Sequence, residues 1–440
     1  MISNNDHLFF SPSTIKNRLY KAIDYVSHNV QSYCFDPISN FTRKRKLSCA
    51  DVIRYSIRLS NKSIQSEFLI FFQEIDSMPS PSAFCQQRYK LSASAFRRVF
   101  SLFTQSFENY KTYKGYHLLA CDGSDISVYH KKNDSDTYHI YSTATKGFNS
   151  FHLNALYDIE NGIFQDVYID TATKTRECSA LEHMVKERNY PDNSIFICDR
   201  GYEKYQLLAT LIENNQKFII RVKDIHSNGI LCNLNLPDTS FDTVITKTIT
   251  RVNNKTTMSQ KDKYAVLMND SPFDYIDFEN EFYELKLRVI RFKITDSTYE
   301  CLVTNLTEDE IAFDEFMEIY HKRWSIETAF KDLKYTIGML YIHSANQEII
   351  KQEIYSSLIL FNYCKLIILN TPPEEKGGKW KYKTNFKMAV TNLRMYLDGY
   401  IEQEELIKRI KKFLIPIRPG RVFARQVKPQ SFKPYNYFTA

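Results

Sequence analysis

Tyr320, Arg323, Glu327, Lys331 and Lys334 follow one another at intervals of three, four, four and three residues. At about 100° per residue, this spacing gathers them on an arc of roughly 80° of one helix. Ile319, Ile326, Phe330, Leu333 and Ile337 fall on the adjacent arc, the apolar stripe that would pack on a sheet. Ser325 and Asp332 fall on the opposite, outward arc. Glu327 and Lys331 would also make an ordinary i, i+4 pair on a solvated face, but Tyr320 and Arg323 gain nothing from that arrangement. Two further acids close apolar runs: Asp122 follows LLAC and precedes Gly123, and Asp199 follows IFIC and precedes Arg200 and Gly201. Each is placed where a buried strand leaves a sheet, the usual ligand position in open α/β sheets. Taken singly, either reads better as a turn residue. Three carboxylates from two strand ends and one helix suffice to hold Mg²⁺, with Mn²⁺ as a substitute. Two such ions ~4 Å apart activate water and stabilise the leaving oxygen of an in-line phosphoryl displacement. The neighbouring cations would then grip a phosphodiester backbone.

Positioning these groups requires an α/β layer fold with a mixed sheet. HLLACD, FHLNALYD and IFQDVYID read as three successive strands with a tight connection at IENG. A helix through RECSALEHMVKER, the strand SIFICD, a helix through YEKYQLLATLIENN and the strand KFIIRVK follow. Residues 1–110 read as a helical unit. Ser48 and Asp51 form a capping box there, a Ser before Ala83 opens another helix, and SASAFRRVFSLF makes a further one. This unit is either a helix-turn-helix module or a bundle that packs on the next domain. Residues 111–223 form the first part of the core, 224–305 a β-rich insertion, and 306–350 the return to the core with Glu327. Residues 351–440 form a helical C-terminal region with a basic tail.

Composition narrows the partners. The chain carries 58 Lys+Arg against 51 Asp+Glu, a formal charge of +7, which permits a polyanion partner. The basic residues concentrate at Arg43–Lys46 and in the tail from Lys408, which has no acid. Nine scattered cysteines without a C-x-x-C pair signal neither a zinc ribbon nor a disulfide framework, and reduced thiols in the cytoplasm are the expectation. The N-terminus shows no secretion signal, and the apolar stretch 354–369 carries too many polar residues to span a bilayer, so no membrane role is expected. An aspartyl-phosphate phosphatase would want a second Asp two residues after the first, whereas Asp125 comes three after Asp122.

The stretch YHKRWSIETAFKDLK has the pattern Tyr, two residues, Arg, three residues, Glu, six residues, Lys. It resembles the signature of one large branch of the DDE transposases of bacterial insertion sequences, the IS-four-like group. ACDGSD and CDRGY are similar to that branch's first two aspartate regions, and RKRKLSCADVI, SAFCQQRYKLS and RPGRVFAR to its terminal segments. The resemblance implies an RNase H-like core interrupted by a β-rich insertion. It also implies metal-dependent cleavage at the element's ends and strand transfer of the 3′-hydroxyl into target DNA. Asp122, Asp199 and Glu327 become the metal ligands, for two ions on this reading of the family, and Tyr320, Arg323, Lys331, Lys334 and Arg221 become DNA contacts. The implied partners are double-stranded DNA, both terminal inverted repeats and target, and a second copy of the chain on that DNA. The implied location is the nucleoid. A catalytically inactive or domesticated DNA-binding relative is the alternative. Some relatives stack a flipped base on a Trp of the insertion, but Trp324 and Trp380 both lie outside it, so a base flip would have to use a Tyr or Phe.

Overall fold

A computed structural model of the chain describes residues 10–72, 74–107, 111–140, 147–171, 177–296, 298–374 and 380–418. The part of the basic tail that holds Arg421, Arg425, Lys428 and Lys433 lies outside them.

Five helices open the chain: α1 (Pro12–His28), α2 (Cys49–Arg58), α3 (Ile64–Phe71), α4 (Pro81–Arg88) and α5 (Ala93–Gln105). Local chemistry starts them. Ser11 caps α1 with Pro12 behind it, Ser48 and Asp51 form a reciprocal capping box on α2, and Ser80 accepts from the Ala83 amide at the head of α4. The chain then makes β1 (His117–Val128), β2 (Tyr138–His139), β3 (Phe148–Asp158), β4 (Ile163–Thr171), α6 (Glu177–Glu187), β5 (Ser194–Cys198), α7 (Tyr205–Glu213) and β6 (Lys217–Val222). Next come β7 (Phe241–Thr250), α8 (Lys255–Ser259), β8 (Tyr264–Val266), β9 (Phe282–Thr295) and β10 (Thr298–Thr304). The last part holds α9 (Phe316–Lys322), α10 (Ser325–Lys331), a π-helical turn (Asp332–Ile337), α11 (Gln347–Leu369), β11 (Tyr382–Thr384), α12 (Phe386–Leu397), α13 (Gln403–Lys412) and β12 (Leu414–Pro416).

Ten strands form one mixed sheet in the order β2–β3–β1–β5–β6–β10–β9–β7–β8, with β4 also on β3. β1, β3 and β4 are antiparallel, and β1, β5 and β6 are parallel. Three antiparallel strands followed by two parallel ones with crossover helices are the RNase H-like arrangement. The run SIFIC of β5 is buried throughout, as a central parallel strand covered on both faces must be.

One expectation needs correction. Asp122 does not end its strand: β1 continues to Val128, still paired with β3 through Asp122↔Ala155 and Gly123↔Asn154. What ends is the pairing with β5, whose last partners are Ala120↔Ile197. The two strands diverge there because β1 keeps its partner on the other side. The strands of 224–305 extend the core sheet. β10 pairs with β6 and β9 with β10, so the core sheet continues across its otherwise open edge, and Ile245, Leu285, Leu287 and Val289 join the core beneath α6 and α7.

The opposite face carries the larger core. α1, α2 and α5, the face of β1, β3 and β4, the helix α11 and the stripe Ile326, Phe330, Leu333 and Ile337 share one continuous apolar cluster. The N-terminal helices are therefore a bundle packed on the rest of the molecule and not a detachable bead. No described helix is long and apolar enough to cross a membrane.

A buried ion pair ties this bundle to α11. Arg88, 2% exposed, donates to Glu353 at 2.9 Å, and the second carboxylate oxygen accepts from the His343 amide at 2.9 Å. Glu353→Ala should destabilise the protein by about 3–5 kcal/mol, since it leaves a guanidinium buried without its counter-charge. Arg88→Met combined with Glu353→Leu should recover most of that loss. Denaturant midpoints of the three variants check both statements.

Candidate active site

Side-chain alternation decides which way the two aspartates point. Leu118, Ile195 and Ile197 pack with Ile319 and Tyr320 of α9, whereas Leu119, Cys121, Phe196 and Cys198 pack with α6 and α7. With a period of two, Asp122 and Asp199 continue the first set and project toward α9 and α10. They occupy equivalent positions on neighbouring strands, two residues beyond the last β1–β5 pair. Backbone amides hold each in place: Gly123 N–H donates to Asp122 at 2.9 Å and Gly201 N–H to Asp199 at 2.7 Å.

From the helix side, Arg323 reaches into this divergence. Its guanidinium lies 4.0 Å from Asp122 Oδ2 and 3.2 Å from Glu327 Oε1, so one cation spans a strand acid and the helix acid. Burial pushes the Asp122 carboxyl up to about 6. Within that net shift the Gly123 amide and Arg323 act downward, and Glu177 and Asp199 act upward with burial. Burial draws the Arg323 pKa down, but Tyr320, Asp122, Asp199 and Glu327 together leave it raised. Tyr320 is 3% exposed, its hydroxyl has no hydrogen-bond partner among the described residues, and burial pushes it up to about 12.

The polar stripe is thus only partly where a regular helix would put it. Tyr320 is covered by the apolar cluster it joins and Arg323 leans in toward Asp122 and Glu327, while Glu327 and Lys331 are exposed. Beyond Lys331 the helix widens into the π turn, ended by Gly338 with φ +99, so a count of 100° per residue fails there. Lys334 is pinned to β1, donating to the Asp125 carbonyl at 2.7 Å. Ser325 and Asp332 are not free outward positions. The Ser325 hydroxyl is buried, and Asp332 pairs with Lys365 of α11 at 3.1 Å. Arg221 of β6 pairs with Glu300 of the adjacent β10 at 2.8 Å, and both contribute to the electrostatic surroundings of Tyr320.

Two neighbours, Glu177 and His152, carry no signal in the sequence. Glu177, the first residue of α6, lies 3.7 Å from His152 Nε2, and His152 Nδ1 lies 2.7 Å from Asp125 Oδ1. A Glu in the first turn of a helix is an ordinary capping signal, and nothing local shows that β3 carries His152 beside it.

The family model described as a transposase DDE domain matches residues 113–363, more than half of the chain and all of the region just described. The chain belongs to the DDE transposase family. It is similar along nearly its whole length to the transposase InsG for insertion sequence element IS4 of Escherichia coli (strain K12). The two are 23% identical over 97% of this chain and 95% of that protein. A putative transposase for insertion sequence element IS4SA of Synechocystis is 24% identical over 45% of this chain and 48% of its own. The piggyBac transposase in a synaptic complex with hairpin DNA superposes with a TM-score of 0.45 at 12% identity, over 96% of this chain and 89% of that one. This transposase therefore acts on DNA by phosphodiester cleavage and transesterification, and its family works with divalent metal ions.

The residues at the β1–β5 divergence suit such an ion. All the donors are carboxylate oxygens, the ligand type of hard cations. Arg323 already places a positive charge between Asp122 and Glu327. As the side chains stand, no three described His, Cys, Asp or Glu groups converge on one coordination point, and the guanidinium does the bridging.

An ionised Asp122 should cost stability. Its folded-state pKa is about 6 against an ordinary 3.8, so the cost is small near pH 4, grows as pH rises, and is full above about 6. Asp122→Asn removes it. The variant should gain on the order of 1–3 kcal/mol at pH 8, with the gain shrinking toward pH 4. Thermal melts of both proteins across that range, without added metal, are the check, and a pH-independent difference would count against the buried charge.

Proposed function

We propose that Asp122, Asp199 and Glu327 are the catalytic carboxylates of a transposase that cuts the ends of an insertion sequence and joins the 3′-hydroxyl to target DNA. Two Mg²⁺ ions, with Mn²⁺ able to substitute, supply an activated water and neutralise the leaving oxygen when bound. The observation that carries this reading is the convergence of Asp122 and Glu327 on one bridging cation, with Asp199 on the next strand of the same sheet face. Arg323 exchanges its carboxylates for the scissile phosphate, and the Tyr320 hydroxyl, which has no partner among the described residues, donates to the same group. Lys331, Lys334 and Arg221 line the flanking backbone, with Arg221 held in direction by Glu300. Two copies on paired DNA ends are the working unit, in the cytoplasm at the nucleoid. Nothing in the site favours an inactive relative, since all three acids and the cations around them are present.

Asp122→Ala, Asp199→Ala and Glu327→Ala should each abolish cleavage in Mg²⁺ and Mn²⁺ while leaving binding to end DNA largely intact. Gel shifts and cleavage assays on the same preparations separate the two properties. Near-normal cutting by any one variant removes that residue from the set.

Recognition of the ends is assigned to residues 1–110. Arg43 and Arg45, both exposed, line an open groove with Lys90. Because these helices share their core with α11, deletion would unfold more than it tests, and charge removal is the cleaner probe. Replacing Arg43, Lys44 and Arg45 by Ala should lower the slope of log affinity against log salt by about three and leave the melting temperature within a degree or two. An unchanged slope would place recognition elsewhere.

A further inference from the structure

Glu177 approaches the candidate site from the far face of the sheet, and a missing side chain is what admits it. A methyl group added at Gly123 would stand 2.5 Å from both Glu177 Oε1 and His152 Nε2, which is too close for any real side chain. A methyl group added at Gly201 would stand 3.0 Å from Asp199 Oδ1 and 3.5 Å from Glu177 Oε2. The two oxygens of Glu177 thus have different neighbours, one turned to His152 and the other flanking the same small space as Asp199.

The ordinary reading is an acid in the first turn of a helix, worth about 0.3–1 kcal/mol by its interaction with the helix dipole. An outward rotamer would collect that benefit in full and would keep the charge in water. Instead the side chain leans over β1 toward another carboxylate, with 38% of its surface exposed. Its ion-pair partner is a histidine 3.7 Å away whose Nε2 is buried and has no hydrogen-bond partner among the described residues. Two carboxylates brought together in a partly buried space repel each other. A cation between them reverses the sign. His152 is held by Asp125, and Asp125 by its carbonyl's bond from Lys334, so the support of Glu177 is anchored to the π turn that follows Glu327.

We propose that Glu177 is a fourth carboxylate of the metal site, paired with Asp199, and that His152 is a positioning residue that orients it. The inference rests on the assignment of Asp122, Asp199 and Glu327 to metal, and it predicts a four-acid set with Glu177 opposite Glu327.

The experiment is Mn²⁺ binding to the full-length chain, followed by the loss of the free-ion electron paramagnetic resonance signal, for the parent, Asp122→Asn, Glu177→Gln, Glu177→Asp, His152→Gln and the double variant of His152→Gln with Glu177→Gln. Circular dichroism confirms folding. Glu177→Gln should weaken Mn²⁺ roughly tenfold, with Glu177→Asp between it and the parent. His152→Gln should weaken it by a few fold and add nothing in the double variant, as expected for a residue that acts through Glu177. The Mg²⁺ concentration for half-maximal cleavage should rise in the same order. Parent-like Mn²⁺ affinity in both folded Glu177 variants, alongside a loss in Asp122→Asn, overturns the fourth carboxylate and leaves the three-acid reading standing. Parent-like affinity in Asp122→Asn overturns that reading, and this inference with it.

Discussion

Like charge gathered at one end of a sheet is the constraint on which the rest of this structure depends. Asp122, Asp199, Glu177 and Glu327 surround the point where β1 and β5 part, and the described side chains answer them chiefly with Arg323. Each additional carboxylate raises the free energy of its neighbours' charged forms, which is why burial, Glu177 and Asp199 together lift Asp122 to about 6. Such a site is costly to hold in a folded protein, and in the proposed function a divalent cation offsets that cost.

The fold keeps those charges from escaping. β1 continues past Asp122 in register with β3, so the aspartate lies within a paired strand and has little freedom to swing away. β5 is buried along its length and ends at Cys198, which fixes Asp199 on the neighbouring strand. α9 and α10 press Ile319, Ile326 and Phe330 into the core, and this seats Arg323 and Glu327 over the same divergence. The bundle of α1, α2 and α5 then buttresses α11 behind the helix, through an apolar cluster that it shares with the sheet. The site is therefore carried by strands and helices on both sides, a rigid mounting for groups that must be held against their own repulsion.

Much of this was legible in sequence because the decisive signals are periodic. The apolar stripe from Ile319 to Ile337 is buried at every position named, and the strand and helix order of residues 116–223 follows the alternation of short apolar runs and amphipathic segments. Where periodicity breaks, so did the reading. The π turn displaced the positions after Lys331, and Asp332 proved to be tied to Lys365. A Gly after Asp122 suggested a turn, whereas its role is to leave room for Glu177 and His152. The strands of 224–305 were visible, but their pairing onto β6 was not, because Leu302↔Arg221 joins residues distant in the chain and no local pattern encodes it. Glu177 and His152 were missed for the same reason: they meet only once α6 and β3 are folded against each other.

The central claim is that a divalent ion belongs between these carboxylates, where Arg323 now bridges them. Crystals of the full-length protein soaked in Mn²⁺ test it directly through the anomalous signal of the metal. The account predicts a peak roughly 2 Å from oxygens of Asp122 and Asp199, with Glu327 turned toward it and the Arg323 guanidinium displaced. A fully occupied Mn²⁺ peak elsewhere on the protein, with Arg323 still joined to Asp122 and Glu327, would contradict it.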